Sequence, residues 1–204
     1  MAAAGGTTRW QETAITNMQS LDEVRADAFR RLSHGVADCR SAFRSPALAT
    51  VGPDGRPQVR TVVLRGFDPA ARLLTVHSDV RAAKVTALRA NPGVALHVWD
   101  DGAQIQIRID GTAAVSANDE LARAEWARLH EGSRAAYRSQ PVPATPVEDP
   151  ADVPRVDDAA ALAQFAVLQI RFDGLEWLHL AREGQRRAAF SWHGDALEQR
   201  WLSP

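Results

Sequence analysis

The run Ile105-Gln-Ile-Arg-Ile-Asp110 constrains the fold more than any other feature, because isoleucine at 105, 107 and 109 alternates with Gln106, Arg108 and Asp110. Side chains of an extended chain point alternately to opposite faces, so this segment is a half-buried strand with one greasy face and one polar face. The greasy face requires a core, and the polar face can hold a ligand. A lone strand is not stable, so the sequence must supply partners for it.

It does so at close intervals. Ala47 to Val51, the turn Pro53-Asp54-Gly55 and Gln58 to Arg65 read as a β-hairpin rich in Val, Thr and Leu. Leu73 to His77 and Val94 to Trp99 read as two more strands, and the turn Asp100-Asp101-Gly102 leads into the alternating run. Towards the end, Phe165–Phe172 and Leu175–Ala181 read as strands joined at Asp173-Gly174, with a final strand near Arg186–Trp192. Helices lie between and around them. Ser20-Leu-Asp-Glu23 has capping-box spacing and opens a helix over 21–38, with Leu21, Val24, Ala28, Phe29, Leu32 and Val36 at helical intervals. Arg81 to Ala90 reads as a short helix ended by Asn91-Pro92. Ser116-Ala-Asn-Asp119 begins another through about His130, and a short one lies near Asp157 to Ala163. Five prolines, at 141, 143, 146, 150 and 154, make residues 139–156 a loop. Strands without a βαβ rhythm predict a mainly β protein with peripheral helices (α+β), its antiparallel sheet curled into a barrel.

At 204 residues, the chain is long enough to bury one core, so residues 1–204 are expected to form one domain with 1–19 as an N-terminal extension. A formal net charge of −1 gives no global field for nucleic acid or an anionic membrane, so any bound anion is held by local chemistry. No apolar run reaches the length of a bilayer span, and the N-terminus lacks the basic start and apolar stretch of a signal peptide. The single cysteine, Cys39, excludes an internal disulfide framework; it reads as a buried spectator thiol, and the protein as cytoplasmic. His34, His77, His97, His130, His179 and His193 lack the spacing of a zinc site. Trp126 reads as packing rather than a base-stacking platform, since no basic groove accompanies it. Both the G-x-G-x-x-G fingerprint and the Walker A loop are missing.

The segment richest in chemistry is Arg60-Thr-Val-Val-Leu-Arg65 followed by His77-Ser-Asp-Val-Arg81-Ala-Ala-Lys84 at a strand-to-helix junction. A helix N-terminus presents unpaired N–H groups, and Arg81, Lys84 and the Ser78 hydroxyl would complete a phosphate pocket there. On these residues alone, a plainer reading stays open in which Asp79 merely caps the helix and both cations are solvated.

In order and spacing, five segments together resemble the pyridoxamine 5′-phosphate oxidase-like family of FMN-binding split β-barrels. They are Arg60–Arg65, His77–Lys84, Asn91-Pro92, Trp99 and Gln106-Ile-Arg-Ile-Asp-Gly111. The resemblance covers roughly residues 45–115 and 165–204. It implies a split β-barrel that binds FMN at the interface of a homodimer. It implies that Arg60, Ser78, Arg81 and Lys84 hold the phosphate and ribityl chain, with Thr61, Arg65 and His77 in the same two segments. Val62, Val63 and Leu64 would line the flavin, and Gln106 would hydrogen-bond its ring. Trp177 and Arg187 would match a spaced Trp…Arg pair that helps to bind it.

The implied activity is that of an FMN-dependent oxidoreductase acting on a small molecule; the rival is a non-enzymatic split barrel that binds FMN or haem. Three departures weaken a vitamin B6 oxidase reading. Glu183-Gly184-Gln185 stands where the family's R-L-H substrate motif would fall, Arg65 replaces a frequent lysine, and Ala83 replaces a frequent arginine. Arg60 and Arg65 also have opposite parity on one strand, so both can face one ligand only if a bulge or backbone contact intervenes.

Overall fold

The computed structural model describes residues 20–181 and 184–204; the expected N-terminal extension and Glu183 lie outside them. Helix α1 (Leu21–Ala37) begins at the expected capping box: Glu23 N–H donates to Ser20 Oγ, and Ser20 N–H to Glu23 Oε2. The strands follow as β1 (Ala47–Val51), β2 (Pro57–Thr61), β3 (Leu64–Asp68), β4 (Leu73–Asp79), β5 (Gly93–Asp100) and β6 (Ile105–Ser116). Helix α2 (Ala83–Ala90) separates β4 from β5. After β6 come α3 (Glu120–Arg128), α4 (Glu131–Arg134), α5 (Asp158–Gln164) and strands β7 (Phe165–Ala181), β8 (Gly184–His193) and β9 (Ala196–Leu202).

Among the described residues, nine strands form one antiparallel sheet in the order β2-β1-β5-β6-β7-β4-β3, with β8 on β7 and β9 on β8. Strand β7 explains why the sheet divides. Its first half pairs with β4 through Leu73↔Arg171 to Asp79↔Phe165, its second half pairs with β8 through Gly174↔Ser191 to Ala181↔Gly184, and β6 flanks both halves. The alternation at 105–110 turns Ile105, Ile107 and Ile109 into a core shared with Leu48, Leu96, Trp177 and Phe190, which α1 closes with Val24, Ala28 and Leu32. A second cluster of Ala122, Trp126, Ala161, Phe165 and Val167 lies under α3 and α5. The start of β7 is therefore buried on both faces, which is why Phe165-Ala-Val-Leu168 does not alternate.

Several expectations are corrected. Asp173-Gly174 is not a hairpin turn: β7 runs through it, and the register shift between Asp110 and Gly111 takes up the extra residue. Close backbone approach requires glycine at 111, where a Cβ would sit 2.4 Å from Arg171 O. The expected strand Gln58–Arg65 breaks into β2 and β3 at Val62-Val63, where Val62 N–H donates to Pro46 O. Helix α2 begins at Ala83 rather than Arg81, with no side-chain cap, and α3 is capped by Asp119 because Ser116 still belongs to β6. The chain does not end its strands at Trp192; β9 follows. Cys39 is exposed. Among the described residues, no helix is long and apolar enough to cross a membrane.

Candidate functional site

The break between β2 and β3 decides where the two arginines go. Up to Thr61 the strand keeps the parity in which Arg60 lies opposite the core residue Leu48. Beyond it, Leu64 pairs with Val76 and Gly66 with Thr75, so Arg65 is the extra residue of a bulge. The parity conflict in the sequence is thus resolved by a real bulge, but the bulge aims Arg65 elsewhere. Most of the expected residues fall into three loci; Arg81 and Trp177 lie outside them.

The first locus gathers Arg60, Ser78 and Lys84. Arg60 donates to Leu48 O, Thr50 Oγ1 and Gln58 Oε1 at 3.2, 2.7 and 3.1 Å, all neutral oxygens. Lys84 Nζ donates to Ser78 Oγ at 3.0 Å, and Ser78 is buried because it shares a face of β4 with Leu74 and Val76. Burial and the neighbouring Arg60 cation pull Lys84 below its ordinary value, and Asp79 only partly offsets them. Burial likewise lowers Arg60. Two partly buried cations that repel each other and are hydrogen-bonded only to uncharged oxygens form a site that wants an anion.

Arg81 is committed differently. Its Nε and Nη2 donate to the two Asp79 carboxylate oxygens at 3.0 and 2.7 Å, and its Nη1 and Nη2 reach Gln140 O and Ser139 O at 2.9 and 3.0 Å. The guanidinium ties the proline-rich segment to the turn before α2, and the hydrogen bonds to Asp79 raise its pKa.

The second locus is the outer sheet face. A row runs Thr61, Ala47, His97, Arg108, Glu176, Ala189 and Arg200 across β2-β1-β5-β6-β7-β8-β9, and beside it lie Trp99, Gln106, Leu178, Arg187 and Leu202. Gln106 Oε1 is 3.2 Å from His97 Nε2, while Arg187 Nη2 donates to Glu176 Oε1 at 2.8 Å. Trp177 is not on this face. It pairs with Ile107 and Ala188, is fully buried in the core and so points away from Arg187, whose cross-strand partner is Leu178. Val62 and Leu64 are buried, and Val63 is exposed between them.

The third locus is a cavity of about 510 Å³ lined by Arg44, Arg65, His77, Glu125, His130 and Ser133 among others. The Arg65 Nε is buried without a hydrogen-bond partner. His77 lies across the sheet from Ser78, with Nε2 3.4 Å from Glu125 Oε2 and its ring edge-on to Phe165 at 4.9 Å. Burial and the Arg65 cation lower His77 below its ordinary value, against the pull of Glu125. Sequence reasoning missed this cavity because Arg44, Arg65 and Glu125 are far apart along the chain. It also missed the Thr50 contact, which only cross-strand register reveals.

Residues 27–117 match the family model described as the FMN-binding domain of pyridoxamine 5′-phosphate oxidase. A pyridoxine/pyridoxamine 5′-phosphate oxidase of Microcystis aeruginosa is 33% identical over 129 residues, 60% of this chain and 59% of that protein. One from Gluconobacter oxydans is 36% identical over 131 residues, 60% of this chain and 64% of that protein. The chain therefore spans less than two thirds of either relative. In three dimensions it is similar to a pyridoxamine 5′-phosphate oxidase-related, FMN-binding protein of Nostoc punctiforme, with a TM-score of 0.74 and 24% identity over 91% of this chain and 100% of that one. PhzG of Burkholderia lata, solved with tetrahydrophenazine-1-carboxylic acid, gives 0.69 and 18% identity over 93% and 95%. Such identities establish the fold, a split barrel, and no more.

Proposed function

We propose, from the match of residues 27–117 to the FMN-binding domain of pyridoxamine 5′-phosphate oxidase and from the split-barrel fold, that the chain is a member of that FMN-binding family and a flavoprotein that oxidises or reduces a small molecule. The observation that carries the reading is the unneutralised pair Arg60 and Lys84 beside the buried Ser78 hydroxyl. A phosphate dianion would relieve their repulsion and accept charge-assisted hydrogen bonds from both, so these residues fit the phosphate end of FMN. The backbone at Val62-Val63, which belongs to neither strand, would line the flavin together with Leu64 at the start of β3.

Bound FMN supplies the electron chemistry through its own ring; the chain's residues bind and orient it and shape the space beside it. Gln106 and Arg187 stand on the outer face, on a different parity from Arg60, so one copy of the chain does not bring them together. A second copy would, and the exposed Val51 on β1, Val59 on β2 and Val63 in the break after β2 favour burial against one. The substrate would enter the cavity behind Arg65, whose size suits a small molecule and whose arginines suit an anionic one. With Glu183 in place of a basic residue, pyridoxamine 5′-phosphate should be a poor substrate.

The test is the absorption spectrum of the purified protein, with mass spectrometry of what it releases on denaturation. A flavin spectrum, FMN in the released fraction and bleaching on addition of a reducing substrate are expected. A colourless protein that leaves FMN fluorescence unquenched would overturn the reading.

A further inference from the structure

Lys84 is the only lysine in the 204-residue chain, and the carboxylate of Asp79 is close enough to pull on it. Left alone, Asp79 would pair with Lys84 and fill the anion site from within. It does not, because its two oxygens are held in a fork by Arg81 Nε and Nη2, with the Arg81 backbone N–H adding a third bond at 2.8 Å. A bidentate guanidinium outcompetes a single ammonium for a carboxylate. The Ser139 and Gln140 carbonyls fix the Arg81 side chain in that pose.

We propose that Arg81 is a positioning residue rather than a phosphate ligand: by neutralising Asp79 it keeps Lys84 and Arg60 available for an external phosphate. The proposal rests on the flavin reading for the identity of that phosphate, but its electrostatic core does not. Because Lys84 is the sole lysine, its side-chain titration can be followed by NMR of protein labelled with 13C-lysine, without FMN. Arg60 and Asp79 act on Lys84, and Arg81 and the Tyr137 phenol lie in the field of Asp79.

The experiment compares wild type, Arg81→Ala, Asp79→Asn and the double variant. In the flavin-free proteins, the Lys84 pKa should rise in Arg81→Ala, where Asp79 turns to it, and fall back in the double variant. FMN affinity, read by quenching of flavin fluorescence, should weaken roughly tenfold in Arg81→Ala. It should return to within about threefold of wild type in the double variant, with riboflavin little changed throughout. Asp79→Asn alone should bind FMN no worse than wild type, which keeps the proposal open to test if Arg81→Ala folds poorly.

A Lys84 pKa unmoved by Arg81→Ala would overturn the proposal. So would a double variant as weak for FMN as Arg81→Ala, which would make Arg81 a direct ligand, or equal losses for FMN and riboflavin, which would make its role structural. Failure of the wild type to bind FMN, with the Lys84 shifts as expected, would sink the flavin reading and leave the charge arrangement standing.

Discussion

His77 and Ser78 are neighbours on β4 that the sheet sends to opposite faces, His77 to the cavity and Ser78 to Lys84, and His77 and Lys84 each make a separate prediction. If Lys84 holds the flavin phosphate, Lys84→Ala removes a charge-assisted hydrogen bond of about 1.5–3 kcal/mol, roughly 10- to 150-fold in FMN affinity. Riboflavin should barely respond, and the flavin-free protein should be no less stable, since the substitution removes a repulsion with Arg60. Fluorescence titration with both flavins reads the difference; equal losses would show that the phosphate lies elsewhere. His77 carries a pH dependence. Its folded pKa lies below the unfolded value near 6.5, so the unfolded chain binds the extra proton first as pH falls. The stability associated with neutral His77 is therefore present above about pH 6.5 and lost as pH falls through that value towards the folded pKa. His77→Phe should flatten the acid side of the stability profile, measured by urea unfolding between pH 5 and 7. An unchanged slope would assign the acid sensitivity to other groups.

At the level of elements, the organising feature is the long β7 and the place where its neighbour β6 slips. Gly111 sits where β6 shifts register, and a Cβ there would meet Arg171 O at 2.4 Å and Phe172 Cα at 2.7 Å, both backbone atoms that cannot rotate away. Gly111→Ala should cost about 1–3 kcal/mol, seen as a lower urea midpoint with an unchanged slope. The same substitution at Gly102, whose nearest neighbour is the Asp100 carboxylate at 3.5 Å, should cost far less. The β6-β7 slip was hidden in the sequence, where Asp173-Gly174 resembles a hairpin turn. Dipeptide chemistry reports that a residue tolerates a bend; it does not report whether a neighbouring strand continues past it. Strand β9 was missed for a related reason: Ala196-Leu-Glu-Gln-Arg-Trp-Leu202 has no apolar alternation strong enough to announce a strand, and pairing with β8 organises it.

At the level of the whole molecule, the outer face bearing Gln106, His97, Glu176 and Arg187 is complete in one copy only as a surface. A particle of twice the 22.2 kDa chain mass is expected by light scattering at micromolar concentration, and flavin binding should weaken on dilution into monomer. A stable 22.2 kDa species with undiminished FMN affinity would remove the shared site.

The sequence by itself determined the strand-rich class, the half-buried β6, the capped α1 and the cationic strand-to-helix turn at 77–84. These depend on period, capping and composition, which act over a few residues. Only the tertiary structure decided that Arg60 and Lys84 share a site while Arg65 opens a separate cavity, that Arg81 is occupied by Asp79, and that Trp177 is core while Leu178 faces Arg187. The Arg81 contact turns on Ser139 and Gln140, brought to it from far along the chain; the others turn on parity, and one bulged or unpaired residue reverses parity for everything beyond it. Such a bulge is set by which strands pair across the sheet, at separations in sequence that local pattern does not sense.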